Sequence, residues 1–294
     1  MFLAVLRLEL FKIFRKPRTY IAFGAIAVMI VLIQFAIRLQ GAELIRFFLG
    51  GQLDTFRVEP EKILNGYFVC FFILNTLLIH VPLLVALIAG DLVAGEANMG
   101  TLRLLVARPV SREGLMLAKL SAAIVYVILL LLWMALLALL GSMLLFGTND
   151  LLVIRETGLN IIQAGDVLWR FVAAFLFASL ALVTIASLAF MLSVFAENSI
   201  GPIVATVCIV IVFTIIQQLQ VPLFNEYVSP YLFTTHMLGW KGFFYILATP
   251  ENESIRGSVE QGGRILRSAM ILTGYSVLFA ATGIYFFRKK DILS

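Results

Sequence analysis

The sequence predicts an all-α membrane protein with six transmembrane helices, and three observations carry that prediction. Of the 294 residues, 62% are hydrophobic and only 13% are charged, and the mean hydropathy is +1.03. A water-soluble domain of this length needs far less apolar surface. Six apolar runs reach the roughly 20 residues that cross a bilayer. The runs are continuous and do not alternate with polar residues, which favours helices over a β-barrel. The six runs are approximately Tyr20 to Ile37, Gly66 to Gly90, Leu120 to Phe146, Phe171 to Phe195, Ile200 to Leu219 and Ser268 to Phe287.

The N-terminal segment, residues 1–17, precedes the first run and is too polar to cross a membrane. Its apolar positions at helical spacing are Leu3, Leu6, Leu10 and Phe14. The basic residues fall elsewhere around the same helix, which predicts an interfacial amphipathic helix that ends at Pro17. A basic leader without fixed structure is the alternative. We expect no cleavable signal peptide, because no small-x-small cleavage site follows the first run.

The connections between the runs are predicted to differ. Residues 38–65 form an outer loop whose apolar patch, Leu44 to Leu49, lies near the membrane surface. Residues 147–169 form a second outer loop, and Glu197 to Ser199 form a tight inner turn.

The outer segment between the fifth and sixth runs, residues 221–267, is aromatic and apolar in its first half. Pro222, Pro230 and Gly239 interrupt it, so one helix cannot cross the membrane there. We expect short helices that dip into the outer leaflet or lie along it, followed by a solvated loop. No internal repeat is evident, which predicts a single domain over residues 1–294.

The distribution of basic residues predicts the orientation. About half of the lysines and arginines stand close to span ends in three short segments, where the positive-inside rule is strongest. The residues concerned are Arg7, Lys12, Arg15, Lys16, Arg18, Arg103, Arg108, Arg112, Lys119, Arg288, Lys289 and Lys290. Both termini are therefore expected in the cytoplasm, with the chain in a bacterial cytoplasmic membrane. The net charge of +5 reports this orientation and contact with anionic lipids, and no nucleic-acid partner is expected.

The interior of the six runs offers little chemistry. It contains no Asp, Glu, Lys or Arg, and its one histidine is His80. Ion-driven carriers generally need an ionisable relay there, at about 2.5–3.5 kcal/mol per charge on the insertion scale. His80 and Asn75 lie about 140° apart around a helix, so we expect His80 to bond a neighbouring helix and not to form a site.

Sequence patterns of enzymes and metal sites are also missing. No zinc-protease, serine-hydrolase or P-loop pattern occurs, and Cys70 and Cys208 stand in different runs. We therefore expect no catalytic residue, bound cofactor or metal in this chain.

The most informative part of the sequence is the polar segment between the second and third runs, residues 91–117. Its apolar residues at helical spacing are Met99, Leu102, Leu105 and Val106. Pro109 ends the pattern, and Ser111 can cap the next helix, with Glu113 favourable in its first turn. The segment predicts a short helix across the base of two spans. A lever that transmits the motion of a soluble partner and a loop resting on lipid headgroups both fit this pattern.

The same segment carries a motif at fixed spacing. The motif residues are Glu96, Gly100, Thr101, Leu102, Arg103, Leu105, Arg108, Pro109, Val110, Ser111, Arg112 and Lys119. This pattern resembles the signature of ABC-2 type transporter permeases. The resemblance extends to the layout of the chain, which has an N-terminal amphipathic helix, six spans and a long outer segment before the last span.

The resemblance implies partners. A permease of this family pairs with a second permease, usually an identical copy, and with two cytosolic ATP-binding subunits that hold ATP and Mg. Residues 91–108 would then be a coupling helix docked in a groove of the ATPase. The residues implied in coupling are Glu96, Met99, Gly100, Thr101, Leu102, Arg103, Leu105, Arg108, Pro109 and Arg112.

The resemblance also implies roles within that set. Glu96 and Arg103 are expected to make polar contacts or orienting salt bridges, and Gly100 to permit close backbone approach. Met99, Leu102 and Leu105 are expected to fill the docking groove.

The leading hypothesis is therefore the permease of an ATP-driven exporter of a lipophilic or amphipathic substrate. An ATPase-linked membrane anchor that regulates without moving solute is the alternative. A secondary carrier is disfavoured by the uncharged interior.

Overall fold

The computed structural model describes residues 2–56, 63–102, 111–155, 158–219, 221–247 and 255–290. Six helices in it are long and apolar enough to cross a membrane, which confirms the predicted number of spans. The protein is thus a multi-pass, mainly helical membrane protein. The helices are α1 (Phe2–Arg15), α2 (Pro17–Phe56), α3 (Gly66–Ala89), α4 (Ala94–Asn98), α5 (Arg112–Ala135), α6 (Gly141–Phe146), α7 (Leu168–Phe195), α8 (Ile200–Gln218), α9 (Pro222–Tyr227), α10 (Phe233–Met237) and α11 (Gly262–Lys289).

The first span, α2, runs far beyond its predicted end. The prediction of a loop from residue 38 is wrong, because the helix continues to Phe56 and only Gln40 leaves helical geometry, at φ −134° and ψ 28°. The chain holds no proline between Pro17 and Pro60, so nothing covalent stops the helix earlier. A kink at Gln40 changes its direction instead.

The third span contains a π-helical turn. This turn, Leu136–Leu140, joins α5 to α6 without a break. The buried Gln34 side chain of α2 donates from Nε2 to the Leu137 carbonyl at 3.0 Å and to Ser142 Oγ at 3.1 Å. A π-turn leaves carbonyls available for such bonds, so Gln34 ties the first span to the third.

The fourth span, α7, is the centre of the bundle and packs against α3, α5, α8 and α11. Ala174, Ala178 and Ala181 are buried on it, as their small size allows close helix approach. Near its middle, Thr184 Oγ1 lies 2.9 Å from Ser276 Oγ of α11. The sixth span is therefore joined to the fourth by packing and by a buried hydroxyl pair.

The outer connection after the third span has more structure than the sequence predicts, whereas the one after the fifth span contains short helices, as predicted. Residues 151–162 contain an antiparallel hairpin of β1 (Leu151–Arg155) and β2 (Gly158–Ile162), where a plain loop was expected. Between residues 221 and 247, α9 and α10 alternate with 3-10 turns at Ser229–Tyr231 and Leu238–Phe244. These parts lie at one end of the bundle, which we call the hairpin end.

Arg170 fastens the outer segment to the fourth span. Its side chain is fully buried and pairs with the Asp166 carboxylate at 2.6 Å. It also donates to the Phe243 carbonyl at 2.6 Å and to the Ser258 carbonyl at 2.9 Å. Each of the three guanidinium nitrogens thus has at least one acceptor, which offsets the cost of burying the charge.

His80 does not bond a neighbouring helix as expected. Its Nδ1 lies 2.8 Å from the Thr76 carbonyl of its own helix, and the side chain is exposed. The prediction of an inter-helix bond is wrong, although the side chain still joins no cluster.

Candidate functional site

The opposite end of the bundle gathers both chain ends, and we call it the terminal face. It is formed by α1, residues 91–102, the start of α5, residues 196–199 and the end of α11. Arg112 Nη1 donates to the Lys290 carbonyl at 2.8 Å, and Lys290 Nζ donates to the Val194 carbonyl at 2.9 Å. The start of the third span, the end of the fourth and the end of the sixth therefore meet there.

Four charged side chains from three parts of the chain form a closed ring on this face. Lys12 of α1 places Nζ 2.6 Å from Glu9 Oε1 and 2.7 Å from Glu96 Oε1. Lys119 of α5 places Nζ 2.9 Å from Glu9 Oε2 and 2.7 Å from Glu96 Oε2. Each carboxylate is shared by two ammonium groups, so this ion ring of Glu9, Lys12, Glu96 and Lys119 is neutral. The Lys119–Glu96 contact lacks hydrogen-bond alignment and is an ion pair alone.

Because three members of the ring are buried, each of them needs an oppositely charged partner. Lys119 exposes none of its surface, Glu9 3% and Glu96 6%. A buried charge without a partner costs several kcal/mol, and removing one member of a buried pair typically costs about 3–5 kcal/mol. The ring consequently holds α1, α4 and α5 in one arrangement.

The ring also sets the protonation of the two α1 members. Burial alone would raise the pKa of Glu9, but the nearby Lys119 and Lys12 ammonium groups hold this pKa below its ordinary value. Burial disfavours the charged form of Lys12, yet its bonds to Glu9 and Glu96 raise the pKa of Lys12 above its ordinary value. Both groups are therefore charged around neutral pH.

Asp91 anchors the beginning of the same segment. Its carboxylate is 5% exposed and pairs with Lys16 at 2.7 Å, with Arg18 and with the Ser199 hydroxyl. A Cβ at position 95 would collide with Asp91 Oδ1, so the glycine there leaves room for the carboxylate. The junction of α1 and α2, the end of α3 and the start of α8 are thus joined at Asp91.

The first amides of α4 are satisfied by the fourth span. Ser193 Oγ accepts hydrogen bonds from the Val93 amide at 3.0 Å and the Ala94 amide at 2.9 Å. Those amides have no partner within α4, because the first amides of a helix lack preceding carbonyls. Asp91, Ser193 and the ion ring therefore fix residues 91–96 at three successive points.

The structure separates the residues implied in coupling into different environments. Glu96 is buried in the ion ring, Leu102 is buried inside this chain, and Met99 is 60% exposed. Thr101 Oγ1 donates to the Glu96 carbonyl at 3.3 Å. Arg112 bonds the end of α11, as described above. Arg103, Leu105, Arg108 and Pro109 lie outside the described residues.

The predicted helix through Met99 begins differently in the structure. Helix α4 ends at Asn98, and Gly100 adopts φ +68° before helical geometry resumes at Thr101. A Cβ at Gly100 would meet nothing within 4 Å in this chain. The glycine is therefore required here by the left-handed backbone and not by crowding within the chain. Ser111 caps α5 as predicted, accepting from the Gly114 amide at 3.1 Å.

Sequence reasoning missed Glu9 and did not connect Lys12 and Lys119 with Glu96. Glu9 is the one acidic residue among the first 18 positions, and it lies on the same helix face as the buried Ile13. An acid on the inward face of a basic helix signals a buried cationic partner. The identity of that partner follows only from the packing of α1 on α5.

The structure describes no residues suited to hold a metal. Within the described ranges, no group of three or more His, Cys, Asp or Glu side chains could bind a metal ion. What the terminal face can do chemically is to pair charges and to transmit displacement.

Comparison with known proteins places the chain in a family. Residues 26–293 match the family described as "Protein of unknown function (DUF2705)", and the chain belongs to that family. A curated relative from Bacillus subtilis (strain 168), described as "Uncharacterized protein YhcI", is 29% identical over 160 residues. That similarity covers 50% of this chain and 49% of the relative, so the chain matches about half the length of that protein.

Removing one member of the ion ring should destabilise the protein, and removing an oppositely charged pair should destabilise it less than expected from the two single changes. Glu96→Met is expected to cost about 3–5 kcal/mol, because it leaves Lys119 and Lys12 with excess buried charge. Glu96→Met combined with Lys119→Met leaves the Glu9–Lys12 pair neutral. The free energy of unfolding of the double variant should therefore fall by about 0.5–3 kcal/mol less than the summed losses of Glu96→Met and Lys119→Met alone. Thermal unfolding of the purified protein in detergent measures these differences.

Glu113→Gln is the matched control for that cycle. Glu113 is exposed and pairs with Arg288 at 3.0 Å on the same face, so its loss should change stability by less than about 1 kcal/mol. Strict additivity of the two ring substitutions would contradict the closed ring.

Substitution by alanine should change the stability of the protein in opposite directions at Gly100 and Gly274. Gly100→Ala is expected to cost about 1–2 kcal/mol because of its left-handed backbone. Gly274 lies in α11 with open space around a Cβ, so Gly274→Ala should stabilise by about 1 kcal/mol. Melting temperatures of the two variants test this, and a stabilising Gly100→Ala would show that the turn at this residue is not formed.

The stabilising effect of Glu9 should depend on pH in one direction. A carboxylate with a lowered pKa stabilises the fold above its ordinary pKa of 4.5, and this stability is lost as the pH falls through the lowered value. The difference in melting temperature between the natural protein and Glu9→Gln should be constant from pH 5 to 7 and shrink below pH 4.5. A difference that persists unchanged to pH 3 would refute the pairing of Glu9.

Proposed function

We propose that this member of the DUF2705 family is the permease subunit of an ATP-driven transporter that exports a lipophilic or amphipathic substrate. Separate cytosolic ATP-binding subunits, two per complex, bind ATP and Mg and supply the energy. The permease works with a second permease, a copy of the same chain. No catalytic role is proposed for this chain itself.

The observation that supports this proposal most is the way residues 91–102 are fixed. They carry the first four residues of the motif that resembles ABC-2 permeases, and the ion ring joins Glu96 to α1 and to the third span. A force applied at Met99, which is exposed, would reach those helices through short ionic contacts and not through a loose loop. That arrangement is what a coupling segment requires.

The proposed orientation follows from charge. Ten described basic residues belong to the terminal face. They lie on α1, at the starts of α2 and α5, and at the end of α11. These are Arg7, Lys12, Arg15, Lys16, Arg18, Arg112, Lys119, Arg288, Lys289 and Lys290. The positive-inside rule then assigns this face to the cytoplasm, where an ATPase would meet Met99.

The outward side of α1 fits the interfacial position proposed for it. Leu3, Leu8 and Phe11 are exposed there beside Arg7 and Arg15, whereas Glu9 and Ile13 face the bundle. Apolar side chains flanked by arginines suit the boundary between acyl chains and anionic headgroups. On this proposal α1 rests in the headgroup layer and transmits displacement along it.

Site-specific crosslinking to the ATPase tests the proposal. Met99→Cys in a Cys208→Ala background places one exposed cysteine on the terminal face, since Cys70 is buried. Co-expressed with an ATP-binding subunit encoded beside it, this variant should crosslink to that subunit through a short bifunctional reagent. Leu223→Cys, exposed at the hairpin end, is the matched control and should not react with it.

Three outcomes separate the hypotheses. Crosslinking through Leu223→Cys, or through neither position while the two proteins still co-purify, would contradict docking at residues 91–102. Crosslinking at Met99→Cys combined with ATP-dependent solute movement in proteoliposomes supports the exporter. Crosslinking without movement of any solute would instead favour the regulatory anchor.

A further inference from the structure

The hairpin end contains a large polar cavity outside the site described above. Its volume is about 770 Å³, and its walls come from the end of α8, the segment of short helices after it and the start of α11. Lys241, Arg264 and Arg267 line it, together with amides and hydroxyls, and none of its lining residues is acidic. The cavity therefore carries three positive charges that its own walls do not offset.

The three cations have no described anionic partner. Within the described ranges, no carboxylate lies within 4 Å of the charged groups of Lys241, Arg264 or Arg267. Lys241 is half-buried beside the Trp240 ring, with Nζ 5.9 Å from the ring centroid. Arg264 and Arg267 are exposed, whereas the buried cations Arg170 and Lys119 are paired within the fold. Uncompensated cations facing a cavity favour an anionic ligand.

Four of the other polar side chains of the cavity are paired with one another, Ser229 with Thr235 and His236 with Ser268. His236 lies with Nδ1 3.1 Å from Ser268 Oγ and with Nε2 2.9 Å from the Pro230 carbonyl. The first contact holds α10 against α11 and the second holds it against the 3-10 turn Ser229–Tyr231, so both ring nitrogens are occupied. The lysine and the two arginines remain to contact a ligand.

A narrow apolar cavity adjoins the polar one. It measures about 90 Å³ and is lined mainly by apolar side chains of α3, α7 and α8, among them Pro82, Ala181 and Val210. Gln217 and Leu238 line both cavities. The cationic cavity and the apolar slot between three spans are therefore neighbours that meet at these two residues.

We propose that this pair of cavities binds an anionic amphiphile, with its phosphate or carboxylate head among Lys241, Arg264 and Arg267 and its apolar chain in the slot lined by Ala181 and Val210. Charge complementarity selects the head, and the apolar slot selects a tail. The claim that anionic amphiphiles are the substrates of the transporter rests on the proposed function. The claim that they bind here rests on the cavities alone.

Binding to the full chain in phosphatidylcholine nanodiscs tests the site without any ATPase. The probes are dioctanoylphosphatidylglycerol, dioctanoylphosphatidylcholine, octyl phosphate and sn-glycerol 3-phosphate, counted as bound molecules by native mass spectrometry. Both anionic amphiphiles should bind at least about tenfold more tightly than the zwitterionic lipid and than the tailless phosphate. The relative affinities of the two anionic amphiphiles then show whether the site prefers a phospholipid or a single-chain amphiphile.

Substitutions locate the bound head. Lys241→Gln and Arg264→Gln should each weaken binding of the anionic amphiphiles about five- to tenfold, as loss of a charge-assisted contact does. Lys241→Arg keeps the charge and should retain most of the affinity. Arg256→Gln removes an exposed arginine at the same end that does not line the cavity, and it should leave affinity unchanged.

Three results would overturn the assignment. They are equal affinity for zwitterionic and anionic lipids, equal affinity for the tailless phosphate, and equal losses in Arg256→Gln and Lys241→Gln. Because no ATPase is present, such a failure leaves the proposed function untouched. Failure of the Met99→Cys crosslink would likewise not affect the proposed binding site.

Discussion

The terminal face depends on one electrostatic constraint, the neutrality of a buried ring. Glu9, Glu96 and Lys119 are nearly inaccessible to water, so each needs opposite charge within contact distance. Helix α1 contributes Glu9 and Lys12, α4 contributes Glu96 and α5 contributes Lys119, so each carboxylate contacts both ammonium groups only when the three helices meet. Loss of any one member leaves excess charge in a poorly solvated place. The ring therefore specifies how α1 lies on the bundle more strictly than apolar packing alone would.

This constraint explains how a very short helix can hold a fixed position. Helix α4 has five residues, far fewer than an isolated helix needs to persist in water. Asp91 before it, Ser193 at its first amides and the ion ring at Glu96 supply the contacts that it cannot supply itself. The left-handed turn at Gly100 then redirects the chain, and Met99 is left exposed beyond the anchored part. The hairpin end follows the same logic, with the buried Arg170 fastening the outer segment through Asp166 and two carbonyls.

The six spans could be predicted because length and hydropathy are local properties of the chain. The long continuation of α2 was missed because polar residues after Arg38 suggested a loop, although no proline stops the helix before Phe56. The β-hairpin was missed because its alternation covers only five residues per strand. The ion ring could not be predicted, since its members are up to 110 positions apart.

The buried charges nevertheless leave a trace in the sequence. Asp91, Lys119 and Arg170 each stand one position outside a predicted apolar run, where a charge ends the run and still lies against the bundle. Glu96 was singled out from its motif, and in the structure it pairs with Lys12 and Lys119; its expected role in coupling to an ATPase stays a prediction. The contact that would distinguish a docking residue from a structural one involves a second protein, so no property of this chain alone could supply it.

Through the ion ring, α1 and residues 91–102 are expected to behave as one mechanical unit with the base of the third span. Hydrogen–deuterium exchange of the full chain in nanodiscs measures this coupling, with the natural protein compared with Lys119→Met. We expect amides of α1 and of residues 93–98 to be protected to a similar degree and to lose protection together in the variant. If α1 exchanges freely in the natural protein while residues 93–98 stay protected, the two do not form one unit.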